Sequence, residues 1–211
     1  MIKEYKNVLI TGGSKGIGKS IKDILKFEHP NFNVYSISRT EGYNLVTKDG
    51  LEKCLNDYKE IDILINNIGG GGTWGDDILK FNEWDEVYEK NAGICRKMTI
   101  NYLPYMQKQQ WGRVITISSI YGKEKYYKPW FAIAKASEIV LMKCLAGKYL
   151  GITFNTICPG YIQVDKPFSL IPTKIGEPND VAHLVSFLCS DKAKHINGAC
   201  ITVDGGESNS F

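Results

Sequence analysis

Thr11-Gly12-Gly13-Ser14-Lys15-Gly16-Ile17-Gly18 is the stretch on which the fold of this chain turns. It follows a short apolar run, Asn7 to Thr11 (NVLIT), and opens a segment where Ile17, Ile21, Ile24, Leu25 and Phe27 recur with helical spacing up to His29-Pro30. A continuous apolar run of that length reads as a buried parallel strand, and the spacing after it as an amphipathic helix. Glycines in the turn allow a close backbone approach to a pyrophosphate. The helix N-terminus adds free N–H groups and a partial positive charge. Ordinary strand-to-helix turns also use glycine, so the weight lies on the position of this one, at the first crossover. The predicted contacts to a dinucleotide are Gly12, Ser14, Lys15, Gly16, Ile17 and Gly18.

Further strands are predicted at Asn33 to Ser38, Asp62 to Asn66, Arg113 to Ser118, Thr153 to Ile157 and Ala199 to Val203. Helical patterns fill the intervals. Glu83 to Gln109 carries one or two helices, Phe131 to Tyr149 another, and Asn179 to Cys189 the last, entered through Pro178. Strands alternating with helices imply right-handed crossovers and a parallel sheet covered on both faces. The predicted fold is α/β, a Rossmann-type doubly wound sheet of three layers in a single domain over residues 1–211. Its ligand belongs beyond the carboxyl ends of the strands.

Bulk properties agree with one soluble domain. A 211-residue chain with 43% hydrophobic residues can bury a substantial core. A net charge of +3 does not indicate a nucleic-acid or membrane surface. The opening MIKEYKNVLITGG enters a strand without a signal-peptide core, and no apolar run is long enough for a bilayer. Cys54, Cys95, Cys144, Cys158, Cys189 and Cys200 are scattered with no CxxC pair. They read as reduced thiols of a cytoplasmic protein with no metal site.

The glycine spacing is TGxxxGxG, and there the chain resembles the short-chain dehydrogenase/reductase family. The likeness runs from about Asn7 to Gly206. It continues through Asn66-Asn67-Ile68-Gly69, Asn91, Gly112 to Ser119, Ala134-Lys135-Ala136, Asn155 to Gly160 and Val203-Asp204-Gly205-Gly206. The resemblance implies a nicotinamide dinucleotide and hydride transfer between it and a small carbonyl or alcohol substrate. An NAD-specific site usually has an acidic residue after the second strand. This chain has Arg39 and Thr40 there, and Arg39 with Lys15 can grip a ribose 2′-phosphate. NADP(H) is therefore expected over NAD(H). Asn44 stands where the family often has an aspartate near adenine. Asn67, Gly69, Lys135, Pro159, Gly160, Ile162 and Val164 complete the implied cofactor contacts. Val164 replaces a common threonine and loses one hydroxyl contact.

The family's catalytic set is Asn, Ser, Tyr and Lys. Asn91, Ser119 and Lys135 match three of them, and Phe131 stands where a YxxxK motif has its tyrosine. Phenylalanine has no proton to give. Three readings stand open: an engineered Tyr→Phe change, a proton supplied by another group such as Tyr121, Tyr127 or Tyr161, or a natural non-catalytic relative acting as a sensor or accessory subunit. The short interval from Val164 to Pro178 suggests a reduced lid and a bulky or partly exposed substrate, such as a sugar nucleotide or a carrier-bound group, with plain loop trimming as the alternative. Trp74 reads equally as a substrate wall or a surface aromatic. The Phe131 to Tyr149 helix is apolar on more than one side, which in this family implies a homodimer or homotetramer.

Overall fold

A computed structural model describes residues 5–71, 83–164 and 175–210. Strand β1 (Lys6–Thr11) leads into helix α1 (Gly16–Glu28), then β2 (Phe32–Ile37), α2 (Lys48–Asp57) and β3 (Ile63–Asn66). A short α3 (Trp84–Tyr88) passes through a π-turn at Glu89–Gly93 into α4 (Ile94–Gln109). The rest is β4 (Gly112–Ile117), α5 (Pro129–Leu145), β5 (Ile152–Pro159), α6 (Pro178–Cys189) and β6 (Cys200–Val203). All six strands foreseen in the sequence are present, within a residue or two at their ends.

The strands form one parallel sheet in the order β2-β1-β3-β4-β5-β6. Val8 lies between Val34 and Ile63, so β1 is paired on both sides. Successive side chains of a strand point to opposite faces. Leu9, Leu64, Val114 and Phe154 accordingly enter one core with α2, α4 and α5. Val8, Ile10, Ile63, Ile65, Ile115 and Ile157 enter the other with α1 and α6. These are the two covered faces that all-parallel strands require.

The sequence reading left α2 out. Its segment KDGLEKCLND is mostly polar and buries only Cys54, so its apolar stripe is too thin to stand out. Thr47 starts it by accepting the Gly50 N–H at 3.2 Å. Between β2 and α2 the described chain makes a single 3-10 turn at Arg39–Glu41 and then runs through residues 42–47. In a 3-2-1-4-5-6 sheet another strand would flank β2. Among the described residues β2 is the edge, and Asn44 sits in a connecting loop rather than at the end of a third strand. Leu45, 2% exposed, tucks that loop into the core.

Phe154 is fully buried on β5, with Tyr149 beside it at 6.0 Å. Phe154→Ala removes a core aromatic and should cost about 3–5 kcal/mol. For a domain of this size, that corresponds to a melting point lower by roughly 6–20 °C. Thermal unfolding followed by circular dichroism checks it; a shift within a degree would mean the cavity closes by repacking.

Candidate functional site

The carboxyl ends of β1 and β3 are tied together by Thr11. Its hydroxyl donates to Ile65 O at 3.3 Å and accepts the Asn67 and Ile68 N–H groups at 2.9 and 3.2 Å. Asn67 Nδ2 returns the tie, donating to the carbonyls of Thr11 and Gly12 at 3.0 and 3.1 Å. Between these strands the connections leave in opposite directions, the place where doubly wound sheets bind ligands.

The turn after β1 is shaped for close approach. Gly16 has φ +55°, a left-handed conformation that favours glycine. A Cβ on Gly18 would lie 2.3 Å from the Gly12 carbonyl oxygen and 2.6 Å from Asn67 Nδ2, so no larger residue fits without moving the turn. Gly18→Val should therefore displace the turn. The expected result is a melting point lower by several degrees and loss of nucleotide binding, read by thermal unfolding and by fluorescence titration.

A cavity of about 720 Å³ opens above this turn. Gly12, Ser14, Lys15, Gly16, Ile17, Gly18, Arg39, Thr40, Asn44, Asn67, Gly69 and Val164 all line it. Lys15, Arg39 and Thr40 are exposed. Glu41, the acid nearest Arg39 in sequence, instead takes the Ser38 hydroxyl at 2.7 Å. The sequence reading missed Tyr43, Leu45, Val46, Glu86, Lys90 and Ile94, which line the same cavity. Glu86, Lys90 and Ile94 recur at a spacing of four on one helical face, a signal the sequence does contain.

Lys135, Pro159, Gly160 and Ile162 do not line the cavity. Pro159 ends β5, and the Gly160 N–H donates to Val203 O at 3.0 Å. Ile162 forms an isolated bridge with Gly176. Trp74 and most of the interval from Val164 to Pro178 lie outside the described residues.

The second half of the site is assembled from β4, α5 and the π-turn. Asn91 is fully buried in that π-turn. Its Nδ2 donates to Val87 O at 2.7 Å and Gly70 O at 3.0 Å, and its Oδ1 accepts the Gly70 N–H at 3.1 Å. The widened turn is a local break in helical bonding around Asn91. Ser119 follows β4, 9% exposed, with its Oγ accepting the Tyr121 N–H at 3.2 Å. Ser118 donates to Lys135 O at 2.9 Å, fixing α5 against β4.

Lys135 is 4% exposed, and its Nζ donates to Ile117 O at 3.1 Å and to Glu138 Oε2 at 2.9 Å. The Phe131 ring centre lies 5.8 Å from that Nζ. Tyr126 meets Phe131 edge-on at 5.9 Å and stacks on Tyr121 at 3.8 Å. Burial raises the pKa of both phenols. Tyr127 is exposed and packs against Tyr126.

Gly69 joins the two halves. It lines the cavity, and a Cβ built on it would meet Asn91 Oδ1 at 2.5 Å and Lys135 Nζ at 2.9 Å. Asn91 and Lys135 thus stand beside a glycine of the cavity lining, which also carries the exposed cations Lys15 and Arg39. Such an arrangement can orient a dinucleotide and hold a substrate oxygen by hydrogen bonds.

Comparison with known proteins agrees with this geometry. A family model described as Enoyl-(Acyl carrier protein) reductase matches residues 47–208. The 3-oxoacyl-[acyl-carrier-protein] reductase of Salmonella typhimurium is 30% identical over 240 residues, covering 96% of this chain and 97% of that protein. The acetoacetyl-CoA reductase of Shinella zoogloeoides is 31% identical over 234 residues, covering 94% and 97%. Among solved structures, an oxidoreductase of the short-chain dehydrogenase/reductase family from Burkholderia thailandensis superposes with a TM-score of 0.83 at 23% identity, over 97% of this chain and 93% of that one. The NADP-bound structure of ElxO gives 0.83 at 26%, over 96% and 98%. An alignment of 240 positions exceeds the 211 residues available, so this chain is shorter internally, in keeping with its bare β2 edge. With the sheet, the glycine turn and the family match in agreement, the chain belongs to the short-chain dehydrogenase/reductase family.

Proposed function

We propose that this chain binds NADP(H) and serves as an oxidoreductase acting between a carbonyl and an alcohol. The observation that carries the reading is Gly69, whose Cα faces both the dinucleotide cavity and the Asn91–Lys135 pair. The residues present fit the cofactor: a turn with no room for a side chain at Gly18, and two exposed cations, Lys15 and Arg39, on the rim. Lys15 and Arg39 hold a ribose 2′-phosphate, Arg39 by its planar fork. The NADP bound to ElxO supports the same choice over NAD.

When bound, the nicotinamide supplies or accepts the hydride. Ser119 Oγ donates to the substrate oxygen and stabilises the charge growing there. Asn91 would hold a water for proton exchange, and Lys135 would bond the nicotinamide ribose. Pro159, Gly160 and Ile162 would supply contacts to the carboxamide. Phe131 occupies the place of the family's proton-donating tyrosine, so turnover in this form is slow or absent. The names of the relatives favour a 3-oxoacyl thioester as the substrate class. The exposed Ile133 and Val140 on α5 support assembly as a homodimer or homotetramer. One domain spanning residues 1–211 and a cytoplasmic location belong to the same reading. No described helix is long and apolar enough to cross a membrane.

Phe131 also favours a second reading, a dinucleotide-binding sensor or accessory subunit without turnover. Titrating the protein with NADPH and NADH, and following NADPH oxidation against 3-oxoacyl thioesters and keto-sugars, tests both. Tight NADPH binding with measurable oxidation supports the enzyme. Binding without oxidation of any substrate supports the sensor. Failure to bind either nucleotide overturns both.

A further inference from the structure

Glu138 is a carboxylate with no assigned role, and it lies inside the protein. It is 1% exposed on α5, one turn after Lys135. Both its oxygens reach Lys135 Nζ, at 2.9 and 3.2 Å. Lys135 is itself 4% exposed, and its other described protein contact is the neutral Ile117 carbonyl. A buried ammonium with no anion nearby is strongly disfavoured and sheds its proton. The ring at Phe131, 5.8 Å away, contributes only a weak cation–π attraction.

The surroundings offer Lys135 no other counter-charge among the described residues. From α4, Cys95 faces the pair; burial pushes its thiol up to about 12, so it stays neutral. From β4, Ser118 contributes a hydroxyl. Across the gap, Lys135 Nζ and Asn91 Oδ1 both stand over Gly69 on the floor of the cavity. Lys135 is therefore held between a buried anion and Gly69, a residue of the cavity lining.

We propose that Glu138 is a positioning residue: its buried carboxylate keeps Lys135 charged and holds that ammonium beside Gly69, toward the cofactor ribose. The cofactor half of this inference rests on the function proposed above; the charge half does not. Burial raises the pKa of Glu138 and Lys135 opposes that shift, the opposed pull expected of an internal ion pair.

Two readouts test it. The first needs no nucleotide: the lysine side-chain carbon signals of 13C-labelled protein are followed from pH 6 to 10, with Lys135 assigned by its absence in Lys135→Met. In the unaltered protein, Lys135 should stay charged across that range. In Glu138→Gln the ammonium loses its anion and should titrate at least one pH unit lower. The second is NADPH affinity over the same range. Lys135 is charged below its pKa, so in Glu138→Gln the affinity should fall about tenfold as pH rises through the lowered pKa. The unaltered protein should show no such limb. Glu138→Asp keeps the charge and should restore the flat profile. If Glu138→Gln does not fold, Lys135→Met and Lys135→Met/Glu138→Met replace it: acting only through Lys135, Glu138 should leave NADPH affinity equal in the two.

An unchanged Lys135 titration in Glu138→Gln overturns the inference. So does a further loss of affinity in the double variant beyond Lys135→Met. If the lysine shifts as expected but the unaltered protein binds no NADPH at any pH, the charge half stands, and the cofactor half falls with the proposed function.

Discussion

Phe131→Tyr is expected to raise NADPH-dependent reduction of a suitable ketone by about 10²–10⁴-fold, the contribution of a positioned acid. The change adds one hydroxyl to a half-buried ring that already borders the Lys135 ammonium at 5.8 Å, so little repacking is needed. Ser119 and Asn91 are already on their elements, held by backbone partners that a hydroxyl at position 131 does not touch. The measurement is NADPH oxidation at saturating cofactor, comparing the two proteins on the same 3-oxoacyl thioester. An unchanged, substantial rate would mean that the proton comes from another group. No rate in either protein would turn attention to the sensor reading.

The second large effect concerns the choice of cofactor. Lys15→Ala/Arg39→Ala is expected to weaken NADPH binding by about 100-fold or more, since two charge-assisted contacts to a dianionic phosphate are lost. NADH, which lacks that phosphate, should bind nearly as before. Both side chains are exposed on the rim of the cavity, so the melting point should move little. Calorimetric titration with each nucleotide decides it. An equal loss for NADH would assign the cations to the shared pyrophosphate instead.

The central strands were legible because they are short apolar runs buried on both faces, as Ile63 to Asn66 illustrates with four buried residues in succession. The glycine turn was legible because its chemistry is local, a backbone that needs glycine, whereas Asn91 was legible only through the family resemblance. Helix α2 was not, because it buries little and its cap is a single threonine. Glu138 was overlooked although it sits at the i+3 position from Lys135, where helical neighbours meet. A glutamate on an amphipathic helix ordinarily faces water, and only the packing of α5 on β4 and α4 shows that this one does not. The loss of a strand beside β2 was also invisible, since an absent element leaves no pattern to read.

The ladder of parallel strands carries a consequence for how the chain folds. No two neighbours in the sheet are joined by a tight hairpin; each pair, from Lys6 with Phe32 to Thr156 with Cys200, is separated by at least one helix-bearing crossover. Every ladder bond therefore awaits closure of a long loop, which slows folding relative to chains rich in local contacts. β1 must find two partners, and β3 arrives only after β2 has been made during synthesis from the N-terminus. Until then, the apolar flank of Val8, Leu9 and Ile10 stands open. The same three residues that end up at 0% exposure are thus apolar surface open to a chaperone until β3 has paired.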